Sequence, residues 1–213
     1  MKNLHVPYLP VLDSLDLSSV KLLMETKASR NYIDVVNWDT FPYKPIAVFD
    51  IARSDTALYL HYFVNGHSLK ASCFIDNSPV YTDSCVEFFM LRPVDAYYMN
   101  FEFNCIGTCD AAIRQSREVK DPLSSVEYAS IRRHSSLENK PFEEIGGIFA
   151  WDLVVAIPLT LMGLDPKNLP KMIRGNFYKC ADDTAYPHYL SWNPVKTLDP
   201  DFHRPEFFGE IYL

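Results

Sequence analysis

"YYMNFEFNC", Tyr97 to Cys105, alternates too regularly to be anything but a strand, and its reading decides the fold. Met99, Phe101, Phe103 and Cys105 project one way, while Tyr98, Asn100, Glu102 and Asn104 project the other. The first face belongs to a core, and the second is a row of hydrogen-bonding groups. Upstream, "SCVEFFML" (Ser84 to Leu91) is rich in β-formers and stops before Pro93. "TALYLHYFV" (Thr56 to Val64) alternates and runs into Asn65-Gly66, a pair that signals a hairpin turn. "GIFAWDLVVAIPL" (Gly147 to Leu159) is apolar on both faces, as expected of a strand buried between layers. "KMIRGNFYKC" (Lys171 to Cys180), "HYLSW" (His188 to Trp192) and "EFFGEIYL" (Glu206 to Leu213) read as further strands between Pro- and Asp-rich turns. Helical periodicity is confined to "LSSVKLLMETKAS" (Leu17 to Ser29).

Many strands of similar spacing and few short helices make this an all-β chain, an antiparallel sandwich or barrel. No internal repeat or composition break interrupts it, so a single domain over residues 1–213 is expected. Fifteen prolines against 7 glycines suit stiff, long loops. Arg117 to Ser125 and Arg132 to Glu144, both rich in charge and serine, are expected to be exposed loops.

Composition excludes several function classes. A net charge of −7 and a pI near 5.3 lack the basic footprint that a phosphate backbone needs, so nucleic acid is not an expected partner. The longest apolar stretch, Leu153 to Gly163, is broken by Pro158 and Thr160 and falls short of the roughly 20 residues a membrane helix requires. No membrane partner is expected. "MKNLHVPYLP" does not read as a secretory signal, which gives a cytoplasmic expectation. The five cysteines are scattered and fit reduced thiols better than a disulfide framework. Cys105 and Cys109 are spaced CxxxC without a second pair, whereas structural zinc takes four N/S ligands.

The familiar catalytic motifs GxxxxGK[ST], GxSxG, HExxH and GxGxxG are missing from the sequence. Glu87 and Glu102, on neighbouring strands, could serve glycoside hydrolysis if their carboxyls stood about 5 to 9.5 Å apart. What the chain supplies in quantity is aromatic rings beside planar polar groups, the chemistry of sugar binding. Tyr98, Glu102 and Asn104 share one strand face with Asn100, and Arg114 and Arg117 follow the turn "IGTC". In "YPHYLSWNP" (Tyr186 to Pro194), Trp192, His188 and Tyr186 offer a late aromatic platform. Trp151 and Trp38 read as core anchors, and His203 as a loop residue that hydrogen-bonds backbone.

Taken together, "TDSCVEFFM" (Thr82 to Met90), "YYMNFEFNCIGT" (Tyr97 to Thr108), "IRQSR" (Ile113 to Arg117), "NFYKCADDTAYPHYLSWNP" (Asn176 to Pro194) and "PDFHRPEFFGEIYL" (Pro200 to Leu213) resemble the family 9 carbohydrate-binding modules, specifically the standalone family 9-like bacterial proteins. The resemblance implies an immunoglobulin-like β-sandwich related to the DOMON group and a carbohydrate ligand, bound without catalysis in a setting of carbohydrate catabolism. It further implies gripping of glucan or xylan chain ends between two tryptophans, with Trp192 as one ring, and structural calcium, for which the loop acids Asp182, Asp183, Asp199 and Asp201 are the available oxygen donors. No attached hydrolase is apparent, which leaves a glycosidase or a protein-interaction module as alternatives.

Overall fold

The computed structural model describes residues 1–93 and 95–213. In chain order its strands are β1 (Asn3–His5), β2 (Asn31–Tyr32), β3 (Val35–Val36), β4 (Ile46–Arg53), β5 (Ala57–Ala71), β6 (Cys85–Leu91), β7 (Tyr98–Asn104), β8 (Cys109–Arg114), β9 (Lys120–Pro122), β10 (Arg132–Ser135), β11 (Phe142–Pro158), β12 (Met172–Cys180), β13 (Tyr189–Ser191) and β14 (Gly209–Tyr212). Two helices, α1 (Leu17–Lys27) and α2 (Ser125–Ser130), lie among them. The strands form two sheets that pack as a sandwich. The larger has the order β1-β14-β12-β6-β7-β8-β9, with β13 on β12 and β3 on β13; the smaller runs β10-β11-β5-β4-β2. Pairing is antiparallel except between β1 and β14.

Alternation in β6, β7 and β12 sends Phe88, Phe101, Phe103 and Phe177 inward, against Phe49, Leu60 and Tyr62 of the smaller sheet. Phe177 stacks on Phe49 at 3.7 Å between ring centroids and on Phe88 at 4.9 Å, and the edge of Trp192 meets Phe177 at 5.8 Å. The outer face of the smaller sheet is covered by α1. Asp16 caps that helix by accepting from the Ser19 amide at 2.8 Å, and Val20 and Met24 pack on Tyr59, Val154 and Ala156. β11 is thereby covered on both sides from Leu153 to Ile157, whereas Gly147 to Ala150, expected from the sequence to be buried as well, lie largely exposed. No helix among the described residues is long and apolar enough to cross a membrane.

Two expectations need correction. Asn65-Gly66 is not a turn: β5 runs through it, with Gly66 opposite Phe149 on β11. A Cβ at Gly66 would come within 2.8 Å of the Pro45 side chain and the Tyr43 hydroxyl, so the glycine serves a close approach of neighbouring side chains. The two expected loops contain β9, β10 and the start of β11, although much of this chain is exposed. The polar face of β7, read from the sequence as a row of hydrogen-bonding groups, is covered as well. Tyr98, Asn100, Glu102 and Asn104 are all buried, because a second apolar layer from Trp38, Val80, Val195, Phe202 and Phe208 packs over this outer surface of the larger sheet.

Candidate functional site

The second layer does not close completely. Between it and the sheet lies a cavity of about 540 Å³, whose lining includes Glu87, Glu102 and Asp110 with Arg114, Arg117 and Lys120. Strand register builds its floor: Glu87 on β6 is the direct partner of Glu102 on β7, which is the partner of Asp110 on β8. Three acids thus stand in a row across adjacent strands. Arg114, four residues beyond Asp110 on β8, points the same way. Its Nε donates to Asn100 Oδ1 at 2.7 Å, Asn100 Nδ2 donates to Glu102 Oε1 at 3.0 Å, and Arg114 Nη1 donates to the Arg117 carbonyl at 2.7 Å. Lys120 reaches Asp110 Oδ2 at 3.3 Å.

Burial governs the protonation of this floor. Loss of solvent pushes the Glu87 carboxyl up to about 8. Glu102 is also raised well above the ordinary carboxylate value, first by burial and then by the neighbouring charges of Glu87 and Asp110. Asp182, in the cavity wall, is raised to about 6 by burial. Two buried oxygens of the acidic row, Glu87 Oε2 and Asp110 Oδ1, have no hydrogen-bond partner among the described residues. An unmet buried acceptor costs about 1–3 kcal/mol, which a ligand donor recovers.

The walls are aromatic. Tyr81, Phe41, Tyr189, Phe202 and His203 line the cavity, with Tyr81 exposed to solvent and Phe41 edge-on to Tyr189 at 4.8 Å. The loop bearing Phe202 and His203 is held down by stacking of Phe202 on Tyr178 at 4.1 Å and by the Tyr98 hydroxyl paired with His203 Nδ1 at 3.0 Å. Burial and the nearby arginines lower His203 to about 3, which keeps its ring neutral.

Of the residues singled out in the sequence, Glu102, Arg114 and Arg117 line the cavity together. Tyr98 lies behind it and positions His203. Asn104 is buried away from the cavity, where it ties the Cys73 carbonyl, Asp83 and the Thr108 amide. The late aromatic platform is corrected. Trp192 is 3% exposed, its amide donates to the Phe177 carbonyl, and its ring lies in the core over Gly209, where a Cβ would come within 2.4 Å of it. His188 is buried beside Tyr43, held to the Tyr186 carbonyl at 2.7 Å and pushed down to about 2 by burial. Tyr186 is exposed but packs on Tyr43 and His67, outside the cavity. The physical reason is strand parity: along β13 Leu190 and Trp192 turn into the sandwich, so Tyr189 faces the cleft.

Trp38 and Trp151 are 5% and 2% exposed, and no tryptophan lines the cavity. Trp38 instead supports Phe202 and Tyr189 from behind at 6.0 and 6.2 Å. Reading the sequence missed Asp110, Lys120, Tyr81, Phe41 and Tyr189, and it offered Asp182 only as a calcium donor. Asp110 and Lys120 become visible only through register, and the three aromatic rings sit in or beside loops with no periodic signal. The loop acids do not fit a calcium cage. Asp201 is committed to the His203 amide and to Arg204, at 3.0 and 2.6 Å, and Asp182, Asp183, Asp199 and Asp201 form no converging group of three among the described residues.

A sandwich whose sheet face carries a recessed polar floor under an aromatic rim defines a ligand-binding module. The comparisons give the family. The model for carbohydrate-binding family 9 matches residues 18–213, and the chain belongs to that family. Its fold is similar to that of a candidate carbohydrate-binding protein from Bacteroides uniformis, with 36% identity, a TM-score of 0.92 and coverage of 99% of this chain and 98% of that one. Two solved structures of a family 9 module from Caldicellulosiruptor kristjanssonii share the fold at 15% identity. The complex with glucose aligns with TM-score 0.61 over 99% of this chain and 95% of that one, and the complex with cellotriose with 0.58 over 99% and 93%. The comparison with curated proteins gave no match.

Proposed function

We propose that the chain binds carbohydrate in this cleft without catalysis, and that the ligand is a neutral glucan- or xylan-type oligosaccharide or chain end taken up in carbohydrate catabolism. The observation that carries the reading is the acidic row with two unpartnered buried oxygens, Glu87 Oε2 and Asp110 Oδ1, in a cavity rimmed by Tyr81, Phe41 and Tyr189. A sugar hydroxyl donates and accepts at once, which suits a floor that mixes protonated carboxyls, a carboxylate and cations. The apolar C–H face of the ring suits the aromatic rim. A volume of about 540 Å³ is in the range of small-ligand pockets. Membership of carbohydrate-binding family 9 supports the same reading, as do the glucose and cellotriose complexes of the Caldicellulosiruptor module.

Hydrolysis fits the geometry less well. A glycosidase pair flanks the scissile bond, one group ionised and one protonated. Glu87 and Glu102 stand side by side on one sheet face, both raised, and approach a ligand from the same direction. A glycan-array screen of the wild type beside Arg114→Ala tests the proposal. Binding that disappears in the folded variant is the expected result; an array on which the folded wild type binds nothing contradicts it.

A further inference from the structure

Beneath the cleft, Cys85 and Cys180 converge on Glu87, and the two thiols have no part in sugar recognition. Cys85 on β6 and Cys180 on β12 are direct cross-strand partners, and Glu87 lies two residues beyond Cys85 on the same face. One ligand atom from each, the two Sγ atoms and a carboxylate oxygen, lie within 4.8 Å of one another, and all three residues are buried. Glu87 Oε1 is 3.0 Å from the Cys180 sulfur and 3.9 Å from the Cys85 sulfur. In a tetrahedral site with metal–sulfur bonds of about 2.3 Å and metal–oxygen bonds of about 2.1 Å, neighbouring donor atoms stand about 3.6–3.8 Å apart. The cluster needs only small rotamer adjustments to reach that geometry, and its backbone is fixed by the β6–β12 ladder.

Glu87 and Cys180 also line the cavity, so a fourth coordination position can open toward the cleft.

We propose that Cys85, Cys180 and Glu87 form a binding site for a thiophilic divalent cation of the zinc class. On coordination each thiol and the Glu87 carboxyl give their protons to solvent, and no electron is transferred. The site shares Glu87 with the proposed carbohydrate floor, using Oε1 and leaving Oε2 toward the cleft, and rests otherwise on the two cysteines.

Cobalt(II) is the probe, added to the full chain in a non-thiol reductant, with absorbance read for thiolate-to-metal charge transfer. The expected result is saturation at one equivalent, with zinc displacing the signal. Cys180→Ser and Glu87→Gln should weaken binding at least about tenfold. Cys73→Ser, at the partly exposed cysteine, should titrate like the wild type. Glu87→Gln is nearly isosteric, so the test survives if the buried serine variant fails to fold. Absence of charge transfer in the folded wild type overturns the proposal. So does a signal unchanged in folded Cys180→Ser and Glu87→Gln, or one lost in Cys73→Ser.

Discussion

At the scale of single residues, the cleft is defined by side chains that a solvated strand face would never hold in place. Arg114 carries the largest share of this order, because it links Asn100, Glu102 and the backbone of Arg117. Removing one hydrogen bond to a charged group costs about 1.5–3 kcal/mol, so Arg114→Ala should weaken carbohydrate binding roughly 10–100-fold by calorimetry. Glu87 makes a separate prediction about stability. Its folded pKa, about 8, lies above the ordinary 4.5, so its contribution is fully present below about pH 4.5 and is lost as pH rises through 8. Glu87→Gln should therefore melt higher than the wild type at pH 9, and the difference should shrink or reverse at pH 5. Thermal melts at the two pH values check this, and parallel shifts at both would contradict it. Glu102 was legible in the sequence because β7 alternates clearly. Asp110 was not, since only the β7–β8 register places it beside Glu102.

The scale of the element explains why the ring singled out in Tyr186–Pro194 is buried while its neighbour Tyr189 lines the cavity. The segment Tyr186–Pro194 borders the cavity through Tyr189, but with a side-chain period of two the assignment of Trp192 and Tyr189 to faces turns on parity alone. A hydrogen bond from the Trp192 amide to the Phe177 carbonyl and the space over Gly209 fix that parity. Trp192→Ala should cost about 3–5 kcal/mol in chemical denaturation while the folded fraction keeps its ligand affinity. Loss of affinity without loss of stability would return Trp192 to the binding surface. Gly209→Ala, which forces a methyl into the indole, should destabilise by about 1–3 kcal/mol through overpacking. Gly66 teaches a related lesson. An Asn-Gly pair within two long runs of apolar alternation can be strand, when β11 and the Tyr43–Pro45 segment pack on both sides of it.

For the whole molecule, the two-layer architecture was legible, because alternation in β6, β7 and β12 and the doubly apolar β11 admit few other solutions. The third layer was not. Trp38, Val80, Phe202 and Phe208 come from loops far apart in sequence, and nothing in their local patterns announces that they cover the polar face of β7. That covering layer turns a sheet surface into a cleft and raises the glutamates on its floor. Ligand binding to it should stabilise the fold by mass action, with a melting temperature that climbs as oligosaccharide is added.

The account rests on the cleft beneath Tyr189 and Tyr81 as the carbohydrate site, and calorimetric titration of cello- and xylo-oligosaccharides tests it most directly. Wild type, Tyr189→Ala and Tyr186→Ala should be titrated side by side after melting curves confirm their folding. Binding that is retained in Tyr186→Ala and lost in Tyr189→Ala is the predicted result. Equal binding by both variants, or binding abolished only by Tyr186→Ala, would contradict it.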